Sequence, residues 1–288
     1  MKPSAIALGT FDGVHKGHRA VLGEAANSGF TSVAVVFRVP PKAFLSDTGI
    51  ILTEETQKTT LIKETGIEKI DYIDFPLVKD IPPEVFFDSL VKKHNPKLLV
   101  CGYNYTFGKD GKGDTALLSK LCKQKDIDLR VIDEVSVDGK PVSSSRIRQL
   151  LMDGKTKEAI CLLQDGFCIT APVLHGDKRG RTIDFPTFNQ CYPEKKAQIK
   201  YGVYLTKTVI DGIPYFGMTN IGVRPTYPIN TPLCETYLFG FSGDLYGRTI
   251  SLYLLDFIRE EKKFSSLDEL KRAIEKDKEK ILNIINKK

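Results

Sequence analysis

The sequence predicts an α/β chain in two parts: a doubly wound parallel sheet in the first half, then an antiparallel β-barrel or sandwich ending in one helix. Three observations predict it. Short β-rich runs alternate with amphipathic stretches, each within about 30 residues of the next, up to a boundary near residue 157. Beyond it the helical pattern stops, and β-prone runs follow one another with Gly, Pro and Asn between them. The last 25 residues carry a capping box and an apolar helical repeat.

In order, the first-half strands are SAIAL, TSVAVVF, KIDYIDF, KLLVCG and DLRVID. The stretches HRAVLGEAANSG, TEETQKTTLIKETG and PEVFFDSLVKKHN between them have helical spacing. Such alternation implies parallel strands with right-handed crossovers, and it places ligands beyond the carboxyl ends of the strands. The helical segment SSSRIRQLLMDGKTKEAICLLQDG leads out of this part. FCITAPVLHG, YGVYLTKTVI, YFGMTNIGV, CETYLFGF and TISLYLLDFI then read as antiparallel strands. In the final helix Ser266 and Glu269 form the capping box, and Leu267, Leu270, Ile274, Ile281 and Ile285 make a face expected to pack on the barrel.

With 288 residues, 41% of them apolar, the chain can fill one large core or two ordinary ones. A net charge of +6, from 42 basic and 36 acidic residues dispersed along the chain, favours anionic small molecules over a nucleic-acid groove. The interleaved aromatic and basic stripe of such a groove is missing, so no nucleic-acid partner is expected. Six cysteines without a C-x-x-C pair, and no secretory leader, fit reduced thiols in a cytoplasmic protein. No run approaches the roughly 20 apolar residues of a membrane span. A monomer or weak oligomer is expected.

Two segments carry chemistry. Gly9, Phe11, Asp12, Gly13 and Gly17 surround His15 and His18, so that two of the chain's four histidines fall between the first strand and the helix expected to begin near His18. A helix N-terminus offers unpaired N–H groups and partial positive charge to a phosphate. Glycines let backbone approach a nucleotide, and imidazoles add donors. A metal site or a plain polar loop remain alternatives, although no third ligand stands in a metal-binding pattern. The second segment, VSSSRIRQLL, gathers Ser143, Ser144, Ser145, Arg146 and Arg148 at another helix start, either a phosphate clamp or a serine cap with solvent-facing arginines.

At these residues the chain resembles the HxGH nucleotidyltransferase superfamily, and more narrowly bacterial bifunctional riboflavin kinase/FMN adenylyltransferases (FAD synthetases). Gly9 to His18 match G-x-F-D-G-V-H-x-G-H, Ser143 to Arg148 match S-S-[ST]-x-I-R, and CGYNYTFG matches V-G-x-[ND]-[FY]-x-F-G. The resemblance implies a Rossmann-like domain over 1–157. In it His15 and His18 line the ATP phosphates, Ser144, Ser145 and Arg148 hold pyrophosphate, and Asn104 lies beside the nucleotide. Where the family often reads F-[DE]-P-H-P, this chain has Phe37-Arg38-Val39-Pro40-Pro41, which leaves Arg38 as a candidate for an FMN phosphate.

In the second half HGDKRGRTIDFPTFN joins a basic glycine loop, Gly176, Lys178, Gly180 and Arg181, to Thr187 and Asn189, whose neutral oxygens suit Mg²⁺. Taken alone it is equally an exposed hairpin. The segment resembles the riboflavin kinase signature G-R-x-x-G-[FY]-P-T-A-N, with Asp184 and Phe188 as departures, and Gly240 standing where an aspartate is frequent. The resemblance implies a six-stranded antiparallel β-barrel over 158–288. It also implies Thr187 and Asn189 on Mg²⁺–ATP, Glu235 as the base for the ribityl hydroxyl, and Arg224 and Arg259 near the flavin. The implied activities phosphorylate riboflavin to FMN and adenylylate FMN to FAD, using ATP and Mg²⁺.

Overall fold

The computed structural model describes residues 2–46, 50–163, 166–174, 185–223 and 232–287. The chain divides into two compact units, Met1–Arg146 and Ile147–Lys288.

The first unit runs β1 (Ser4–Gly9), α1 (Lys16–Ala26), β2 (Thr31–Phe37), α2 (Pro41–Leu45), α3 (Glu55–Lys63), β3 (Lys69–Ile73), α4 (Phe75–Val78), α5 (Pro83–His94), β4 (Pro96–Gly102), α6 (Thr115–Gln124), β5 (Asp128–Ile132) and a two-stranded hairpin, β6 (Ser136–Val137) and β7 (Lys140–Pro141). The five longer strands form one parallel sheet in the order β3-β2-β1-β4-β5. β1, β2 and β4 are apolar on both faces because helices cover both. Ala5, Ala7, Ala34, Val36, Leu98 and Val100 pack with α1 and α3. Ile6, Leu8, Val33, Val35, Leu99 and Cys101 pack with α5 and α6 on the other side. The winding reverses between β1 and β4, so the crevice for a ligand opens beyond Gly9 and Gly102.

α7 (Ser144–Met152) runs across the division between units and is followed by α8 (Thr156–Leu162). The boundary read near residue 157 falls after α7, whereas the units divide inside it.

The second unit continues with β8 (Phe167–Pro172), β9 (Phe188–Cys191), β10 (Gly202–Ile210), β11 (Ile213–Val223), β12 (Pro232–Leu238), β13 (Thr249–Glu260) and α9 (Leu267–Ile285). These strands form an antiparallel six-stranded sheet in the order β8-β13-β10-β11-β12-β9. It curls until its two edges meet. Leu174, just past β8, bridges to Asn189 of β9, with Leu174 N–H donating to the Asn189 carbonyl at 2.8 Å. Gln190 is fully buried at this seam, and its amide donates to the carbonyls of Ala171 and Ile250.

Alternation then divides the barrel wall. Val203, Leu205, Met218 and Ile258 pack with Ile274, Ile281, Ile284 and Ile285 of α9. Tyr204, Thr206 and Thr208 are buried on the opposite side of β10. There three fully buried threonines form a hydroxyl chain across β10, β11 and β12: Thr206 to Thr219 at 2.8 Å, and Thr219 to Thr236 at 2.9 Å. At the start of α9, Ser266 Oγ accepts the Glu269 N–H at 3.2 Å, the expected cap. Glu269 answers to Ser265 instead of Ser266, accepting from its N–H and hydroxyl, and these bonds hold its carboxyl down at about 2. Leu267 was expected on the packed face but is 70% exposed, because it is the first helical residue and the buried stripe resumes only later. Among the described residues no helix is long and apolar enough to cross a membrane.

Candidate active sites

Beyond β1 the backbone turns through left-handed conformations at Phe11 (φ 48°), Gly13 (φ 88°) and Val14 (φ 39°). Phe11 and Val14 are costly there, and tertiary contacts hold the turn. Asp12 is buried, and its Oδ1 accepts the N–H groups of Leu52 at 2.8 Å and Thr53 at 3.2 Å. Thr53 Oγ1 in return accepts the Gly13 N–H at 3.0 Å. The Phe11 ring is buried edge-on to His18, centroids 5.4 Å apart. A Cβ at Gly9 would lie 2.9 Å from its Cζ, so glycine at position 9 makes room for Phe11.

α1 begins at Lys16, two residues earlier than its spacing suggested, because His15 is the N-cap: its Nδ1 accepts the His18 N–H at 3.3 Å. Histidine is outside the usual capping set of Ser, Thr, Asp and Asn, so the sequence does not announce it. An accepting Nδ1 places the proton of the neutral ring on Nε2. The two imidazoles stack, centroids 3.6 Å apart and planes 15° from parallel. Burial pushes His15 down to about 4; burial, then the charges of His15 and Lys58, push His18 well below its usual value. At neutral pH this is a pair of uncharged hydrogen-bonding rings. His18 Nδ1 is buried and has no partner among the described residues.

Lys58, on α3, was not read from the sequence as a site residue. It is 1% exposed, and its Nζ donates to the carbonyls of Phe37 at 2.9 Å and Arg38 at 3.1 Å, where β2 ends. Arg38 itself has acidic and aromatic neighbours. It pairs with Glu55, lies 3.3 Å from Asp74 and stacks 5.0 Å over the Tyr72 ring.

Ser144 Oγ donates to the Asp12 carbonyl at 2.9 Å, tying the first turn of α7 to the histidine loop. Ser143 Oγ accepts the Arg146 N–H at 3.2 Å as a cap. Arg146 spends its guanidinium on the carbonyls of Val137, Lys140 and Pro141 in the hairpin. Ser145 is exposed and Arg148 half-buried on the same helix. Asn104 is exposed in the turn after β4, at the carboxyl edge of the sheet. His94 ends α5, with Nε2 2.8 Å from Asp71 Oδ2.

In the second unit, strand register assembles a row. Glu235 of β12 stands opposite Asn189 of β9 on one side and Asn220 of β11 on the other. Their neighbours Gln190, Cys234, Thr236 and Thr219 are buried, so the row occupies the opposite face of the sheet. Asn189 Oδ1 is buried without a hydrogen-bond partner among the described residues. Thr187, two residues before it, is exposed. Glu261 reaches the row, accepting from Asn220 Nδ2 at 3.4 Å; a Cβ at Gly222 would fall 1.8 Å from its carboxylate. Asn220 and Glu261 were not singled out in the sequence, because only the sheet order brings them together: β13, which Glu261 follows, lies beside β10, and β10 beside β11. Gly176, Lys178, Gly180, Arg181 and Arg224, with His175 and Asp184, lie outside the described residues. Among those that are described, no cluster of three His, Cys, Asp or Glu could hold a metal.

Arg259 is clasped by the buried Asp277 of α9: Nε lies 3.0 and 2.9 Å from its two oxygens, and a terminal nitrogen 2.8 Å from Oδ2. It borders a groove of about 750 Å³ between β13 and α9, lined also by Ile258, Phe264, Lys276 and Ile284.

A parallel sheet with two stacked, neutral histidines at its switch point, one of them the cap of the helix that begins there, defines a nucleotidyltransferase-like domain, here followed by a small antiparallel barrel. Comparison with known proteins agrees on both units. The FAD synthetase family model matches residues 1–146 and the riboflavin kinase model residues 163–285. The bifunctional riboflavin kinase/FMN adenylyltransferase of Bacillus subtilis is 33% identical over 97% of this chain and 92% of its own length. That of Escherichia coli K12 is 34% identical, over 94% and 90%. A crystal structure described as a macrolide-efflux protein of Streptococcus pneumoniae superposes with a TM-score of 0.89 at 31% identity, covering 98% of this chain and 94% of that one. The chain belongs to the bifunctional riboflavin kinase/FMN adenylyltransferase family.

Proposed function

We propose that residues 1–157 adenylylate FMN and residues 158–288 phosphorylate riboflavin, each with its own ATP. The single observation that carries this reading is that the two family matches fall on different compact units, each with its own constellation of polar side chains.

In the first unit an FMN phosphate oxygen attacks the α-phosphorus of ATP and pyrophosphate leaves. His15 and His18 act as neutral donors to the phosphates, Nε2–H of His15 being fixed by its cap bond. Gly9, Phe11, Asp12 and Gly17 shape the loop that presents them, and Asn104 flanks the nucleotide. Ser144, Ser145 and Arg148 receive pyrophosphate. No side-chain nucleophile is needed, so no covalent enzyme intermediate forms.

In the second unit Glu235 takes the proton of the ribityl 5′-hydroxyl as that oxygen attacks the γ-phosphorus, and ADP leaves. A positioned base of this kind contributes about 10²–10⁴-fold. The unpartnered Asn189 oxygen beside Glu235 fits a hard cation, with Thr187 as the second protein oxygen. Mg²⁺ bound there would neutralise phosphate charge. Gly176, Lys178, Gly180 and Arg181 are assigned to ATP, and Arg224 and Arg259 to the flavin, with the groove at Arg259 as its place. The protein works in the cytoplasm as a monomer or weak oligomer, without nucleic-acid partners.

Flavin chromatography after incubation with riboflavin, ATP and Mg²⁺ tests this. The parent makes FMN and then FAD. The double substitution His15→Ala/His18→Ala stops at FMN; Glu235→Gln makes no FMN from riboflavin but still converts added FMN to FAD. FAD from the double variant at the parental rate refutes the first assignment, and FMN from E235Q at that rate refutes the second.

A further inference from the structure

Both imidazoles of the first site are neutral, yet the reaction gathers several phosphate charges at that mouth. Among the described residues a buried cation stands beside them. Lys58 is 1% exposed, and its ammonium lies within electrostatic reach of both His18 and Asp12. The architecture delivers it there. Asp12 pins the backbone of Leu52 and Thr53, Thr53 pins Gly13, and α3 follows two residues later with Lys58 in its first turn. The ammonium ends at the carboxyl edge of β2, bonded to two neutral carbonyls, Phe37 and Arg38. An ammonium has three N–H bonds, and these carbonyls take two.

Burying a lysine is costly, and here its hydrogen bonds go to neutral carbonyls while the carboxylates of Asp12 and Glu55 offset burial and the charge of Arg38 only in part; packing alone would be better served by an apolar side chain. We propose that Lys58 is the positioning charge of the first site: it fixes the end of β2 and holds positive potential at the crevice for the anionic substrates, while the histidines act as neutral donors. This rests on the adenylylation reading of that site. The charge acts through the low-dielectric wall, not by direct contact.

The test uses the full chain with three substitutions. Lys58→Gln keeps donors for the two carbonyls without charge, Lys58→Met removes both, and Lys58→Arg keeps the charge. Across roughly 6–10 Å at an effective dielectric near 20, one charge is worth about 10- to 100-fold in rate. K58Q and K58M should therefore lose about 10- to 100-fold in kcat/KM for FMN adenylylation, with weaker dependence on ionic strength. K58R should recover most of the loss. Riboflavin phosphorylation by the same preparations should be unchanged, and the K58Q melting curve should match that of the parent.

A K58Q variant adenylylating at the parental rate overturns the proposal. So does K58R losing as much as K58M, which would leave the lysine a packing role only. A parent chain that forms no FAD overturns the underlying reading of the site instead.

Discussion

The neutrality of His15 has a thermodynamic signature that can be measured without substrates. Its folded-state pKa is about 4, against 6.5 when exposed, because burial disfavours the imidazolium. Above pH 6.5 both the folded and unfolded rings are neutral and the contribution is fully favourable. As pH falls below 6.5 the unfolded ring takes a proton that the folded ring refuses, so stability is lost progressively until about pH 4. The gap of 6.5 − 4 = 2.5 units, at 1.36 kcal/mol per unit, amounts to about 3 kcal/mol when fully developed and about 2 kcal/mol at pH 5. His15→Asn isolates it, since asparagine is a strong N-cap but does not titrate. Hydrogen exchange of peptides spanning α1, parent against H15N at pH 7.5 and at pH 5, cancels the intrinsic exchange chemistry. The parent should lose about 2 kcal/mol more than H15N between the two pH values. Equal losses would mean that the ring takes its proton as readily inside the fold as outside it, and the account of uncharged imidazoles would fail.

Two further outcomes follow from packing. Gly9→Ala drives a methyl group to 2.9 Å from the Phe11 ring, and should cost about 1–3 kcal/mol in a thermal melt while slowing adenylylation and sparing riboflavin phosphorylation. Thr219→Val removes the middle of the threonine chain and strands the hydroxyls of Thr206 and Thr236, both fully buried; a urea titration should show a loss of about 1–3 kcal/mol, and an unchanged midpoint would refute that chain as a stabilising element.

The parallel sheet was legible because short β-rich runs such as SAIAL, TSVAVVF and KLLVCG alternate with amphipathic helical stretches, the pattern of strands joined by helical crossovers. The barrel strands were legible as β-prone runs between turn residues, with one exception. β9 contains Asn189 and Gln190, and a fully buried glutamine is tolerated only because its amide finds two carbonyls across the seam. No hydropathy pattern carries that. His15 and His18 announced themselves by clustering, but their neutrality did not, since it comes from burial beneath elements far away in sequence. The sequence set Asp12 beside the two histidines, but not the fact that its carboxylate accepts from the backbone of Leu52 and Thr53, forty and forty-one positions on. Lys58 was one lysine among many on an amphipathic stretch, and only the fold turns it inward.

One residue, Asn189, has two employments: its backbone stitches the barrel shut against Leu174, and its side chain looks across to Glu235. A slip of one position between β9 and β12 would rotate that side chain to the interior and push Gln190 out, dissolving the stitch and the pairing with Glu235 in the same stroke. The register of β9 against β12 therefore sets two things at once, which backbone group reaches Leu174 and which side chain stands beside the carboxylate.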